Sequence, residues 1–480
     1  MAYYNNLLNY RDNIAAIDEN GEQITYQELH ENTLLIRGVA PEHSLVFAFC
    51  NNSIGALCGY VSFLTNNVVP LLLKDDIEKE LRENLIETYQ PAFLYVPESI
   101  QEQFSELQCC IKLYGYCLLR TEYPISTELY LELALLLTTS GSTGSPKLVR
   151  QSYRNIQSNA EAIASYLELS ETERPITTLP MNYTYGLSII NSHLLVGATI
   201  LLTNASLMTK EFWTFFKEYG ATSFGGVPYT YEILKKLRFF NMELPSLRTM
   251  TQAGGKLSPE LHKEFAEFAQ KSNKRFIVMY GQTEATARMA YLPPEVSLEK
   301  YGSMGKAIPG GRLWLKDIEG HEITQPDVVG ELIYEGSNVT LGYAVCLEDL
   351  IKADERNGVL ETGDMAKLDQ DGYFYIVGRM KRFLKIYGNR VNLDETERMI
   401  KNKYSDMECA CAGIDDRLIV FVTDNRKETK DGIKKYLAMK TGININAFQV
   451  EFIEEIPKGE SGKTLYSKLN LLLEKNIGKQ

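Results

Sequence analysis

Short apolar runs alternate with amphipathic stretches over the first 280 residues of this chain. Ser44 to Cys50, Val68 to Leu73 and Ala92 to Val96 are apolar segments of strand length, and the stretches at 51–65 and 76–89 between them read as helices. A second series repeats the rhythm, with strands near 176–179, 198–203, 221–225, 247–251 and 276–280 and helices near 186–196, 209–219, 228–238 and 258–271. Such alternation predicts parallel sheets covered by helices, with ligand sites at the carboxyl ends of strands. From about residue 301 the texture changes: Arg312 to Lys316, Glu331 to Glu335 and Tyr373 to Val377 are short strands among Gly and Asp turns, which suggests a small antiparallel barrel or sheet. Beyond Gly378-Arg379-Met380-Lys381-Arg382 come a helix (393–403), a strand pair (409–414, 418–423), a helix (429–440) and a last strand (449–456). The expected fold class is α/β: a large N-terminal domain (1–380) of two helix-covered sheets plus a small β-barrel subdomain, then a small α+β C-terminal domain (381–480).

Composition narrows the classes of function. The chain of 480 residues carries a formal net charge of −12, which argues against nucleic acid as a partner. Charge is uneven, because residues 381–480 hold 19 Lys+Arg against 15 Asp+Glu. A basic tail on an acidic body could meet an anionic partner, and ordinary surface variation accounts for it equally well. The eight cysteines show no metal-like Cys-x-x-Cys spacing, and Cys409 and Cys411 would face one side of a strand. No signal peptide opens the chain, and no apolar stretch reaches the length of a membrane span, so a reducing, cytoplasmic setting is expected.

The densest chemistry lies where the apolar segment Leu131 to Leu137 runs into Thr138-Thr139-Ser140-Gly141-Ser142-Thr143-Gly144-Ser145-Pro146-Lys147. Gly141 and Gly144 allow a tight bend whose N–H groups can converge on an anion, with hydroxyl donors and the Lys147 charge beside them. This suits a polyphosphate, though the spacing is not that of a Walker loop; a Ser/Gly linker is the bland alternative. Tyr280-Gly281-Gln282-Thr283-Glu284 follows a predicted strand and offers a ring for a purine face, a hydroxyl for phosphate and a carboxylate for Mg²⁺; a packed turn is the alternative. Asp364, in Glu361-Thr362-Gly363-Asp364, could grip a ribose or merely cap a solvated turn, and Arg379 could reach the same ligand or make a surface ion pair. Gly462-Lys463-Thr464 tempts a P-loop reading, hence a phosphotransferase. Position 457 is proline where that loop needs glycine, and only 17 residues follow Lys463, so a flexible loop presenting one lysine is the better reading.

Taken in order, Thr139 to Lys147, Tyr280 to Glu284, Gly330-Glu331-Leu332, Thr362-Gly363-Asp364, Gly378-Arg379, Gly388-Asn389-Arg390-Val391 and Ser461-Gly462-Lys463 resemble the motifs of the adenylate-forming superfamily. Its members are acyl- and aryl-CoA synthetases, adenylation domains of nonribosomal peptide synthetases, and luciferases. The resemblance implies activation of a carboxylic acid by MgATP to acyl-AMP and pyrophosphate, then transfer to a thiol of CoA or of a carrier protein's phosphopantetheine. It further implies that Thr139, Ser140, Gly141, Ser142, Thr143, Gly144 and Lys147 handle phosphates, that Thr283 touches the α-phosphate and that Glu284 holds the metal. Tyr280, Gly281 and the turn Ala253-Gly254-Gly255 would enclose adenine, Asp364 and Arg379 the ribose, and Tyr183, Tyr185 and Gly225 the acid. Lys463 would bridge the acid and the α-phosphate, and the mobile C-terminal domain would turn about Lys381.

Departures from the family pattern sharpen the substrate. Leu148 follows Lys147 where Gly is usual, and Tyr466 stands where Arg is often found. Amino-acid-activating members place an Asp near Tyr183, and many acyl-CoA synthetases a His; Tyr183 is neither. A buried ammonium without a carboxylate is costly, so an aryl or acyl acid is expected rather than an α-amino acid. The alternatives are an amino-acid-activating enzyme that loads a carrier protein in trans and a non-catalytic nucleotide-binding homologue. Lys147, Glu284, Asp364 and Lys463 all stand, which argues against the last.

Overall fold

The computed structural model describes residues 6–125, 128–138, 147–387, 389–404, 406–459 and 464–477. The chain divides into two compact units, one of Met1–Leu313 with Tyr334–Leu360, the other of Trp314–Ile333 with Glu361–Gln480.

The first unit is built on two sheets. In the eight-stranded sheet, Leu45–Cys50 lies parallel to both Val69–Lys74 and Phe93–Pro97, and Val69–Lys74 lies parallel to Leu133–Thr138. These strands are buried almost throughout, as unbroken apolar runs in a parallel sheet must be. Antiparallel strands extend both edges: Tyr116–Arg120 and Gln108–Leu113 on one side, Leu148–Ser152 and Gly342–Ala344 on the other. In the nine-stranded sheet, Pro175–Ile176, Ser223–Gly226, Thr249–Gln252 and Arg275–Tyr280 run parallel in that order. Helices Ile54–Thr65 and Thr184–Leu195 are buried on nearly every face. A helix apolar all round has no solvent face to offer, and both contribute to one core with residues of the two sheets, including Ile200, Leu202, Val46 and Leu72. Among the described residues no helix is long and apolar enough to cross a membrane.

The second unit carries most of a five-stranded sheet whose strands Val359–Leu368 and Phe374–Arg379 pair antiparallel. The hairpin Phe383–Ile386 and Asn389–Asn392 follows. Strands Cys409–Ile414, Arg417–Val422 and Phe448–Phe452 form a three-stranded sheet with helices Leu393–Lys403, Lys427–Thr441 and Tyr466–Ile477. Cys409 and Cys411 share one buried core, as strand alternation requires. Arg382 is nearly buried and is held on all sides: Nε donates to Asp394 at 2.7 Å, Nη1 to the Cys411 carbonyl at 2.6 Å and Nη2 to Glu397 at 2.5 Å. Tyr466 donates to the other Glu397 oxygen at 2.9 Å and lays its ring 3.7 Å from the guanidinium. The tyrosine that replaces the family's frequent arginine is therefore part of a buried charge network.

Candidate functional site

Strand Leu133–Thr138 leads directly into Thr139, Ser140, Gly141, Ser142, Thr143 and Gly144, which lie outside the described residues, as does Lys463. Lys147 immediately precedes the returning strand Leu148–Ser152. Antiparallel pairing sets Tyr343 opposite Val149 and Ala344 opposite Leu148, and the Lys147 Nζ sits 3.3 Å from the centroid of the Tyr343 ring. The Tyr343 hydroxyl donates to Glu284 Oε1 at 2.8 Å. Burial, reinforced by the Glu284 charge, pushes this phenol up to about 12, so it stays a donor at neutral pH. Arg356 stacks on the same ring at 4.6 Å and donates from Nη1 to the Glu284 carbonyl at 3.0 Å. Two cations and one carboxylate thus surround one aromatic ring, and neither Tyr343 nor Arg356 carried a sequence signal.

Glu284 sits on the turn Thr283–Ala285, just past the carboxyl end of Arg275–Tyr280. Buried Asn338 pins this turn, donating to the carbonyls of Ala285 at 2.9 Å and Arg288 at 3.1 Å and accepting from the Tyr334 hydroxyl at 2.7 Å. Thr286 takes a φ of 65°, unfavourable for a β-branched residue, and its hydroxyl is tied to the Asn338 carbonyl at 2.7 Å. One Glu284 oxygen is oriented by Tyr343, and the other has no partner among the described residues. A lone, oriented carboxylate fits Mg²⁺ of the kind that keeps substrate phosphates as its other ligands. No group of three metal-ligating side chains occurs among the described residues, so an all-protein cage is not what this site offers.

A second cluster surrounds the turn Ala253-Gly254-Gly255. The buried Gln252 side chain donates to the carbonyls of Ala253 at 3.1 Å and Gly255 at 2.9 Å, bracing the turn from beneath. Gly254 adopts a φ of +81°, and a Cβ there would lie 2.6 Å from the Tyr183 hydroxyl. Both facts require glycine. Burial pushes the Tyr183 phenol up to about 12, so it is a neutral hydrogen-bonding group. Tyr185 meets Tyr183 edge-on at 6.4 Å and shares a hydrogen bond of 2.8 Å with Thr251 Oγ1. A Cβ on Gly225 would stand 2.9 Å from the Tyr185 hydroxyl. Tyr183, Tyr185, Gly225 and Gly254 therefore border one region. Tyr280 is half-buried and accepts from Gln282 Nε2 at 3.2 Å, while Gly281 lies against the Ala287 carbonyl.

In the second unit, Asp364 and Arg379 occupy opposite register positions on paired strands, with Arg379 Nε 3.4 Å from Asp364 Oδ1. Asp364 is buried and Arg379 exposed, which leaves the guanidinium accessible. Lys381 lies in the short turn Met380–Arg382.

A family model described as AMP-binding enzyme matches residues 5–344. Among curated proteins, oxalate–CoA ligase of Arabidopsis thaliana is 29% identical over 346 residues, 69% of this chain and 65% of that one. The 4-hydroxybutyrate–CoA ligase 1 of Metallosphaera sedula is 30% identical over 341 residues, 68% of this chain and 59% of that one. The match thus spans less than two thirds of either relative's length. Among solved structures, o-succinylbenzoate CoA synthetase from Bacillus subtilis, in complex with its acyl-adenylate intermediate, superposes with a TM-score of 0.79 at 20% identity, covering 98% of both chains. ATP-bound MatB from Rhodopseudomonas palustris gives 0.77 at 20% identity, covering 98% of this chain and 99% of that one. These two likenesses establish the α/β fold of a large N-terminal and a smaller C-terminal part, and the matched model establishes the lineage: the chain belongs to the AMP-binding enzyme family.

Proposed function

We propose that the protein is an ATP-dependent acid–thiol ligase. A carboxylate oxygen of the substrate attacks the α-phosphorus of ATP, the bond to the β-phosphate oxygen breaks, and pyrophosphate leaves with acyl-AMP retained. A thiolate then adds to the acyl carbonyl and AMP departs, giving a thioester. The observation that carries this reading is the Tyr343 ring held between Lys147 and Glu284, which aims a cation and an oriented carboxylate at one place.

In this reading Lys147 and the hydroxyls of 139–143 neutralise the β- and γ-phosphates, and Thr283 donates to the α-phosphate. Magnesium, held by Glu284, would neutralise phosphate charge when bound. Tyr280, Gly281 and Ala253-Gly254-Gly255 enclose adenine, while Asp364 accepts from the ribose hydroxyls beside Arg379. Lys463 stabilises charge that builds as the acid meets phosphorus. The part after Lys381 turns about that residue between the two half-reactions. Tyr183, Tyr185 and Gly225 border the acid.

A carboxylic acid without an α-ammonium is favoured because burial keeps the Tyr183 and Tyr185 phenols neutral, and among the described residues no carboxylate pairs with either. The relatives named for their acids, among them oxalate and 4-hydroxybutyrate, are CoA ligases, which supports CoA as the thiol. A carrier protein acting in trans is the other acceptor to test. A cytoplasmic setting goes with this reading. The test is acid-dependent exchange of labelled pyrophosphate into ATP across a panel of acids, followed by thioester formation with CoA or a carrier. Release of ADP instead of AMP and pyrophosphate would refute the proposal.

A further inference from the structure

Arg288 is only 2% exposed, yet among the described residues no carboxylate lies within ion-pair distance of its guanidinium. Nη1 donates to the Tyr166 hydroxyl at 3.1 Å, Cζ lies 5.1 Å from the Tyr185 ring centroid, and Nε is buried with no hydrogen-bond partner. A guanidinium keeps its charge where a lysine would shed a proton, so burial cannot be relieved by neutralisation. Phenol and ring contacts compensate part of the cost and leave the positive charge uncancelled.

The backbone that carries Arg288 is fixed. Its carbonyl accepts from Asn338 at 3.1 Å and from Asn159 at 2.9 Å. The side chain lines a small pocket together with Gly225, Ser223, Thr251, His193 and Glu173. Glu173 is already engaged, accepting from Thr222 at 2.5 Å and pairing with Arg248 at 3.4 Å. His193 is neutral, because burial, and secondarily the Arg288 charge, pushes it down to about 4. Arg288 is therefore the uncompensated cation of this cavity. Gly225, which lines it, also meets the Tyr185 hydroxyl, so the cavity adjoins the region assigned to the acid.

We infer that the acid activated here carries a second oxyanion at its far end, and that Arg288 receives it. The substrate class is a dicarboxylic acid or a carboxylic acid ending in sulfonate. One carboxylate reacts with ATP, and the other supplies the counterion that Arg288 lacks. The inference rests on the acid-activating reading above, and it makes Arg288 a specificity-determining residue.

The test is pyrophosphate exchange by the full chain with aliphatic and aromatic diacids, ω-sulfonated acids, and monoacids matched to them in length. Wild type should prefer the dianions over the matched monoacids by at least about 10-fold in kcat/KM. In Arg288→Met the ratio of dianion to monoacid kcat/KM should fall by about 10²-fold, the usual scale for truncating one side of a buried charge pair. Arg288→Lys should recover part of that ratio. Equal rates for dianions and monoacids in the wild type would overturn the inference and leave the ligase reading standing; that result needs no variant to fold. Preference for dianions with a ratio unchanged in both variants would overturn the role of Arg288. Exchange with no acid of any kind would instead sink the acid-activating reading itself.

Discussion

Replacing Tyr343 tests the proposed nucleotide site through a residue that no motif announced. Tyr343→Phe removes the hydroxyl that donates to Glu284 at 2.8 Å and keeps the ring beneath Lys147. A hydrogen bond to a charged group contributes about 1.5–3 kcal/mol, and because Glu284 is only half-buried, water recovers part of it. A loss of about 1–2 kcal/mol follows, or roughly 5–30-fold in kcat/KM. Tyr343→Leu also removes the face on which Lys147 and Arg356 rest. Lys147 is exposed, so the cation–π contribution is at the low end, about 0.5–1 kcal/mol, and the second variant should be a further 2- to 5-fold slower. Initial rates of acid-dependent pyrophosphate exchange, measured against magnesium concentration, separate the two effects. The Phe variant should need more magnesium for half-maximal rate, and the Leu variant should add a higher KM for ATP. Should Tyr343→Phe match the wild type within twofold at every magnesium concentration, the assignment of Glu284 to the metal would fail.

Gly254→Ala forces a Cβ into a φ of +81° and towards the Tyr183 hydroxyl 2.6 Å away. A cost of about 1–2 kcal/mol in the bound turn should raise the KM for ATP about 10-fold; an unchanged KM would separate this turn from the adenine. Lys463→Ala should lower adenylation by about 10²–10³-fold while leaving thioester formation from supplied acyl-adenylate intact, and equal loss of both half-reactions would defeat the domain rotation. Arg382→Met leaves Glu397 buried beside Tyr466 and should destabilise the second unit by about 3–5 kcal/mol in denaturant unfolding; a change below 1 kcal/mol would make the network incidental. Burial pushes His262 down to about 4, and its Nδ1 accepts the Gly302 N–H at 3.1 Å, so the native ring is neutral. The unfolded ring binds a proton below about 6.5, so stability present above that pH is lost as pH falls from 6.5 towards 4. His262→Gln should flatten this fall by up to about 3 kcal/mol, and an unaltered pH profile of unfolding would refute it.

The parallel strands were legible because strands buried on both faces must be continuously apolar, as Leu45–Cys50 and Val69–Lys74 are. The edges were harder to read. Gln108–Leu113 alternates exposed and half-buried positions and reads as an ordinary polar stretch until Tyr116–Arg120 pairs with it. Helix Tyr26–Arg37 escaped although Thr25 and Glu28 form a full capping box, a signal that could have placed it. Pro175–Ile176 is a two-residue strand where four residues were expected at 176–179, since pairing with Ser223–Gly226 ends at Ile176. The strands at 312–316 and 331–335 were found, but contacts assign residues 314–333 to the unit that holds the C-terminal residues, and such grouping depends on packing between segments far apart in sequence.

The site divides along the same line. Lys147, Glu284 and the turn at 253–255 stand in local motifs, where spacing alone limits what the backbone can do. Tyr343 owes its position to strand pairing between segments nearly two hundred residues apart, Arg356 and Asn338 reach the Glu284 turn from 72 and 53 residues away in sequence, and nothing in Leu341-Gly342-Tyr343-Ala344 forecasts a hydroxyl aimed at a carboxylate. Arg288 is the extreme case. It lies four residues beyond Glu284 and belongs to none of the motifs. Only burial against Tyr166 and Tyr185 turns it into an uncompensated charge. Motifs therefore report the step common to the family, whereas the groups proposed to select one acid are placed by tertiary contacts, and a substrate should be sought from the charge balance around Arg288 rather than from the motif string.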